Sequence, residues 1–198
     1  MLRRILYPKV EGLLNGLARF LAEKNFTPNQ LTLGGLGLNL LAGWAYSGGI
    51  LFLGGVITLV GAFGDLLDGP LARITGKTTR FGAFLDSTMD RYSDFFLFAG
   101  IAYYFATEEA WGWCLVALGI LLGAFVTSYA KARAENLMTS CSVGVFERGE
   151  RVILLLLGSL LPSLFRVILV VLLIGTHATA FQRIFFVRKA LLEIPEGK

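Results

Sequence analysis

The 198-residue chain has little charge. Asp, Glu, Lys and Arg make up 16% of it, against about 25% in a typical soluble domain. Hydrophobic residues reach 55% and the mean hydropathy is +0.67. The shortage of charge argues against a water-soluble globule, and the apolar content argues against disorder. Cysteine is scarce too: Cys114 and Cys141 match no metal-ligand spacing, and the topology below puts them on opposite sides of a membrane, which argues against a disulfide. The one histidine, His177, lies in an apolar stretch near Thr176 and Thr179, so it is expected to be a hydrogen-bonded buried or interfacial residue, not a ligand. Eighteen Lys and Arg against fourteen Asp and Glu leave a net charge of +4. That excess is too small and too dispersed for a nucleic-acid binder, and in a membrane protein it points to anionic lipids and phosphorylated substrates. Met1-Leu2-Arg3-Arg4 leads directly into neither an apolar signal core nor a small-residue cleavage site, so the N-terminus reads as retained.

What is abundant is apolar sequence in long runs. A spanning helix needs about 20 mostly apolar residues, and six stretches approach this: 31–46, 50–67, 81–106, 111–133, 145–161 and 163–186. Pro162 suits the first turn of the last one. The fifth is short and requires tilt or local bilayer thinning. Ahead of the first, Val10, Leu13, Leu14, Leu17 and Leu21 repeat at helical spacing within residues 8–24, while Lys9, Glu11, Arg19, Glu23 and Lys24 fall largely elsewhere, the pattern of an amphipathic interfacial helix. The expectation is an all-α polytopic membrane protein of six spans, with the whole chain forming one domain.

Basic residues sort by side on this layout. Arg3, Arg4, Lys9, Arg19, Lys24, Arg73, Lys77, Arg80, Lys131, Arg133, Arg148, Arg151, Arg183, Arg188, Lys189 and Lys198 share one side, and Arg166 stands on the other. The positive-inside rule then places both termini in the cytoplasm of a cell-membrane protein. Gly119-x3-Gly123 permits close helix contact, within the chain or between copies.

Acidic residues gather where spans two and three approach the cytoplasm. Asp65 and Asp68 share one helix face; Asp86 and Asp90 share another, and Asp94 continues that stripe inward. Carboxylates at a membrane rim are costly unless paired or metal-bound. All-oxygen ligation selects hard cations such as Mg²⁺ or Mn²⁺, and two such ions form a clamp for phosphate oxygens. Salt bridges to Arg73, Arg80 and Arg91 are the bland alternative.

The run Asp65-x2-Asp68-Gly69-x2-Ala72-Arg73-x8-Gly82-x3-Asp86-x3-Asp90 resembles the signature of the CDP-alcohol phosphotransferases throughout. Thr27-Pro28-Asn29-Gln30-Leu31-Thr32 resembles a second nucleotide-contacting segment of that family. The resemblance implies cleavage of a CDP-linked lipid or alcohol, with an acceptor hydroxyl attacking the β-phosphorus and CMP leaving. It further implies two ions, Asp65, Asp68 and Asp86 holding the first and Asp65, Asp86 and Asp90 the second. Asp90 would also take the hydroxyl proton, and Pro28, Asn29, Gln30, Leu31, Gly69, Arg73 and Thr79 would bind the CDP-lipid. A homodimer is implied as well. For the nucleotide segment a second role stands beside the first: Thr27 or Asn29 suits a helix N-cap.

For the acceptor, Lys131 and Arg133 end the fourth span while Arg148 and Arg151 open the fifth. Four cations at one level suit a second phosphate, and Glu147 and Glu150 read as partners that orient the arginines. The Ser128-Tyr129-Ala130-Lys131-Ala132-Arg133-Ala134-Glu135 run and the Glu147-Arg148-x2-Arg151 element are similar to the phosphatidylinositol-phosphate synthase branch. That resemblance implies CDP-diacylglycerol and inositol phosphate as substrates. Glycerol phosphate is the rival acceptor, and a cation transporter using the acidic stripe is the rival from another class.

Overall fold

A computed structural model describes residues 2–137 and 140–192, with side chains from Glu11 onward. Lys9, Val10, Arg3, Arg4 and Lys198, used above for charge or patterning, therefore lie outside the described side chains. All regular structure among the described residues is helical: α1 Leu2–Glu23, α2 Pro28–Ser47, α3 Leu51–Ile74, α4 Arg80–Thr107, α5 Trp111–Leu137, α6 Arg148–Leu160 and α7 Phe165–Leu192. One 3₁₀ turn, Pro162–Leu164, precedes α7, so Pro162 opens that turn instead of the last helix.

Local chemistry explains the ends. Asn25 takes φ +62° and Phe26 N–H returns to the Leu21 carbonyl at 3.0 Å, a left-handed stop for α1. Thr27 then caps α2: its hydroxyl accepts from Gln30 N–H, and the Gln30 side chain accepts from Thr27 N–H at 2.8 Å. This is a capping box, with Thr27 and not Asn29 as the cap. Gly76 at φ +65° turns the chain after α3.

Two boundaries differ from expectation. α3 runs on through Pro70 to Ile74, although proline removes an N–H and crowds the carbonyl four residues earlier. Pro70 and Leu71 are buried, and their packing offsets that loss. Asp65, Asp68, Gly69 and Arg73 thus ride on one helix with no turn between them. α6 is only 13 residues, about 20 Å, because residues 140–147 leave the helix and lie along α7. There Phe146 N–H donates to Thr179 Oγ1 at 3.1 Å, and the Phe146 ring fills the notch at Gly175, where a Cβ would stand 2.5 Å from it.

Packing centres on α2. α3 and α4 both pack on it and have little backbone contact with each other. Gly43 and Gly100 let α2 and α4 cross closely: a Cβ on Gly100 would collide with the Gly43 carbonyl oxygen. α5 pairs with α7, and α6 packs on α3 and α7. Gly119 faces Leu173, and Gly123 faces Thr176 and His177, so this glycine pair serves packing inside the chain. His177 Nε2 lies 3.1 Å from the Gly119 carbonyl oxygen, the hydrogen-bonded role expected of it. Cys114 and Cys141 are free thiols.

α3, α5 and the Pro162–Leu192 segment are long and apolar enough to cross a membrane. The others fall short for separate reasons: polar amides and glycines dilute α2, Asp90, Arg91 and Asp94 charge α4, and α6 is short. α1 divides its apolar residues between two faces. Leu14 and Ala18 are buried, whereas Leu13, Leu17 and Phe20 are exposed.

At Gly100 an added methyl meets backbone, which cannot turn aside. Gly100→Ala is expected to cost ~1–3 kcal/mol, read as a lower melting temperature in detergent. Gly112→Ala, with nothing within 4 Å of the new atom, should leave it nearly unchanged.

Candidate active site

The carboxylates come from two helices that α2 holds in place. Asp65 and Asp86 both repel the charge of Asp90, and Asp65 and Asp90 both repel that of Asp68, so α3 and α4 present one electrostatically coupled acidic group. α2 shapes it. A Cβ on Gly35 would stand 2.5 Å from Asp65 Oδ1, so only glycine lets that carboxylate lie against the α2 backbone. The buried Thr32 hydroxyl donates to Asp68 Oδ2 at 2.9 Å. One turn beyond Gly35, Asn39 Nδ2 donates to the Gly35 carbonyl at 3.0 Å and to Ser93 Oγ on α4 at 3.2 Å. Thr32 was not singled out from the sequence as a site residue. Its signal was the polar spacing of Thr32 and Asn39, seven residues apart in an apolar helix.

Cations thread the group. Arg148 Nη1, at the start of α6, is 2.7 Å from Asp65 Oδ2 and 2.5 Å from Asp90 Oδ1. Arg91 Nη2 lies 3.4 Å from Asp90 Oδ2. Deeper in, Arg151 Nη2 is 2.6 Å from Asp94 Oδ2, both side chains 2% exposed.

The four expected acceptor cations therefore do not form one open patch. Lys131 pairs with Glu147 at 3.4 Å, Arg133 is exposed, Arg148 lies among the carboxylates, and Arg151 is enclosed with Asp94. The reason is dielectric: a carboxylate buried as deeply as Asp94 needs a counter-charge. Glu147 orients Lys131 and Arg183, not the two arginines of its own helix. Arg183, read from sequence only as a marker of side, donates from Nε to Val143 O at 2.9 Å, from Nη1 to Thr127 O at 2.6 Å and from Nη2 to Glu147 at 2.9 Å. It pins the 140–147 segment to α5 and α7.

The helix starts of α2 and α4 lie side by side. Thr79 Oγ1 caps α4 by accepting from Gly82 N–H at 2.9 Å. A Cβ on Gly82 would stand 3.1 Å from Thr79 Oγ1 and 3.7 Å from Asn29 Oδ1. Two helix N-termini so placed favour an anion. Asn29, Thr79 and Arg73 are exposed, Pro28, Leu31 and Gly69 half-buried. Gln30 is exposed too, and its side chain also closes the capping box. Arg73 lies over Gly69, where a Cβ would meet its Nη1 at an ordinary contact distance of 3.7 Å.

Among the described residues, no three acidic side chains converge as a ready-made metal cage. The donor set nevertheless fits a hard cation. It is all-oxygen, it comes from two helices, and one positive atom, Arg148 Nη1, already sits within hydrogen-bond distance of a carboxylate from each.

The model of the CDP-alcohol phosphatidyltransferase family matches residues 25–182. The chain belongs to this family. It is 40% identical over 185 residues to the archaetidylinositol phosphate synthase of Pyrococcus horikoshii, covering 93% of this chain and 95% of that one. Its fold matches the crystal structure of Mycobacterium tuberculosis phosphatidylinositol phosphate synthase with CDP-DAG bound, with TM-score 0.81, 32% identity and coverage of 88% of this chain and 92% of that one. The same synthase in complex with manganese and citrate matches with TM-score 0.79 and 31% identity, covering 88% of each chain. This membrane enzyme is thus a CDP-alcohol phosphatidyltransferase, and divalent metal use occurs in its family.

Two substitutions separate the roles in this site. Arg151→Met leaves the buried Asp94 only its 4.0 Å contact with Arg91 Nε and should cost ~3–5 kcal/mol of stability; adding Asp94→Leu should restore most of it, both read from unfolding in detergent. Thr32→Val removes the hydroxyl that reaches Asp68 and the Pro28 carbonyl; it should lower kcat about tenfold, with a smaller melting loss than Arg151→Met.

Proposed function

We infer that this enzyme transfers the phosphatidyl group of CDP-diacylglycerol, or its ether-lipid counterpart, to inositol phosphate, releasing CMP. The observation that carries the reading is the acidic group shared by α3 and α4, bridged by a cation and flanked by the paired starts of α2 and α4. The names of the relatives support the acceptor: the archaeal and the mycobacterial synthase differ in the lipid named and agree on inositol phosphate.

Asp65, Asp68 and Asp86 hold one Mg²⁺ or Mn²⁺ and Asp65, Asp86 and Asp90 a second, and such ions neutralise pyrophosphate charge and acidify a nearby hydroxyl. The N-terminus of α4 with Thr79 and Gly82, the start of α2 with Pro28, Asn29 and Leu31, and Arg73 beside Gly69 bind the cytidine diphosphate. Lys131 and Arg133 attract the acceptor's phosphate. Asp90 takes the proton of the attacking hydroxyl as the new oxygen–phosphorus bond forms at the β-phosphate and the bond to CMP breaks.

The membrane reading follows the charge. α2 to α7 cross six times, α1 lies at the interface with Leu13, Leu17 and Phe20 toward lipid, and both termini and the active site face the cytoplasm. Arg166 supports this orientation. The lone basic residue of the far side lies 5.5 Å from the Trp113 ring centre and 6.0 Å from that of Phe105, as a cation held at an aromatic belt. A homodimer would form through lipid-facing surfaces, since Gly119 and Gly123 are already occupied within the chain. A transport path is disfavoured because the acidic stripe ends at the enclosed Asp94–Arg151 pair.

Purified enzyme given labelled CDP-diacylglycerol, Mg²⁺ and one acceptor at a time should release CMP with inositol phosphate. Chelation should abolish release, and Asp90→Asn should slow it about 10²–10⁴-fold. CMP release with glycerol phosphate alone would reject the acceptor. Metal-dependent ion flux in sealed vesicles without CMP formation would reject the reaction.

A further inference from the structure

Of the four buried or half-buried arginines near the site, Arg91, Arg148, Arg151 and Arg183, the last three use their guanidinium groups differently. Arg183 satisfies Nε, Nη1 and Nη2 with three separate acceptors. Arg151 uses Nη2 on Asp94 and Nη1 on the Phe146 carbonyl at 3.3 Å, with its Nε, like that of Arg91, buried without an acceptor. Arg148 places both of its ion pairs on the single nitrogen Nη1, while its Nε is buried without an acceptor. Arginine frequently grips a carboxylate bidentately through its planar fork. Arg148 instead straddles Asp65 of α3 and Asp90 of α4 as a point charge does, in the position of a bridging cation. It is also the first residue of α6, directly after the non-helical 140–147 segment, so its backbone stands at a joint.

We propose that Arg148 is an internal counter-cation, which clamps α3 to α4 in the metal-free enzyme and is displaced when divalent ions take Asp65 Oδ2 and Asp90 Oδ1. This rests on the metal reading given above. The same two oxygens cannot serve Nη1 and a metal ion at once, so Arg148 and the ion compete. Linkage then requires that the energy Arg148 gives the metal-free form be subtracted from metal affinity. Once released, the guanidinium becomes available beside the reacting phosphates, which reconciles its place here with the acceptor role its sequence context suggests. Arg148 is in this sense a positioning residue that gates metal entry.

The test uses full-length enzyme in detergent with Mn²⁺ alone, its free concentration followed by electron paramagnetic resonance, and melting temperatures with and without Mn²⁺. Arg148→Gln should bind Mn²⁺ at least about tenfold more tightly than wild type. It should melt lower without metal and at nearly the wild-type temperature with saturating Mn²⁺. Arg148→Lys, which keeps the charge on a smaller group, should fall between. In wild type, Mg²⁺ should raise modification of Arg148 by phenylglyoxal, read by mass spectrometry, which needs no variant to fold. Equal melting losses with and without Mn²⁺ and unchanged affinity, or Arg148 equally protected in both states, would overturn the proposal while leaving the metal site standing. Wild-type enzyme that binds no Mn²⁺, or binds it equally well as Asp65→Asn, would overturn both.

Discussion

Like charges held close by a scaffold that cannot relax them are the constraint behind this structure. α3 and α4 carry the carboxylates, and α2, packed against both, sets their separation. Each contact that fixes the geometry is made by a small or short polar side chain. Gly35 admits Asp65, Thr32 holds Asp68, Asn39 reaches Ser93, and Gly43 with Gly100 brings α2 against α4. Repulsion among buried carboxylates calls for a counter-charge, and Arg148 Nη1 stands between Asp65 and Asp90 in that place.

The basic residues sort by depth. At the deepest level, Arg151 neutralises Asp94 and closes the stripe. In the 140–147 segment, Arg183 and Glu147 fasten non-helical backbone whose polar groups would otherwise be unsatisfied in a membrane. At the level of the reaction, Arg148 joins two helices through one nitrogen. Lys131 and Arg133 remain nearest to solvent. One set of positive residues thus supplies fold stability, loop attachment and site chemistry in turn.

Much of this was legible in the residues. Apolar runs marked the helices α2 to α7, and three of them, α3, α5 and the Pro162–Leu192 segment, are long and apolar enough to cross a membrane. The 65–90 carboxylate spacing marked the site, because helical periodicity dictates which side chains share a face. What was not legible was partner choice. Arg148 and Arg151 stand three residues apart and look equivalent in sequence, yet one lies in the reaction group and the other in the core. Nor did the sequence show α3 continuing through Pro70, or α6 stopping at 13 residues, because tertiary packing overrides local propensity at both places. The capping box that Gln30 closes with Thr27 was visible in the Thr27-x2-Gln30 spacing itself.

The central claim is that α3 and α4 form one cation site. Anomalous diffraction at the manganese edge, from crystals of the enzyme grown with Mn²⁺, tests it most directly. The account predicts density between α3 and α4 at about 2.0–2.2 Å from oxygens of Asp65, Asp68, Asp86 and Asp90, an approximate distance for a hard divalent ion. Manganese bound elsewhere, with Asp65 and Asp90 still paired to Arg148, would contradict it.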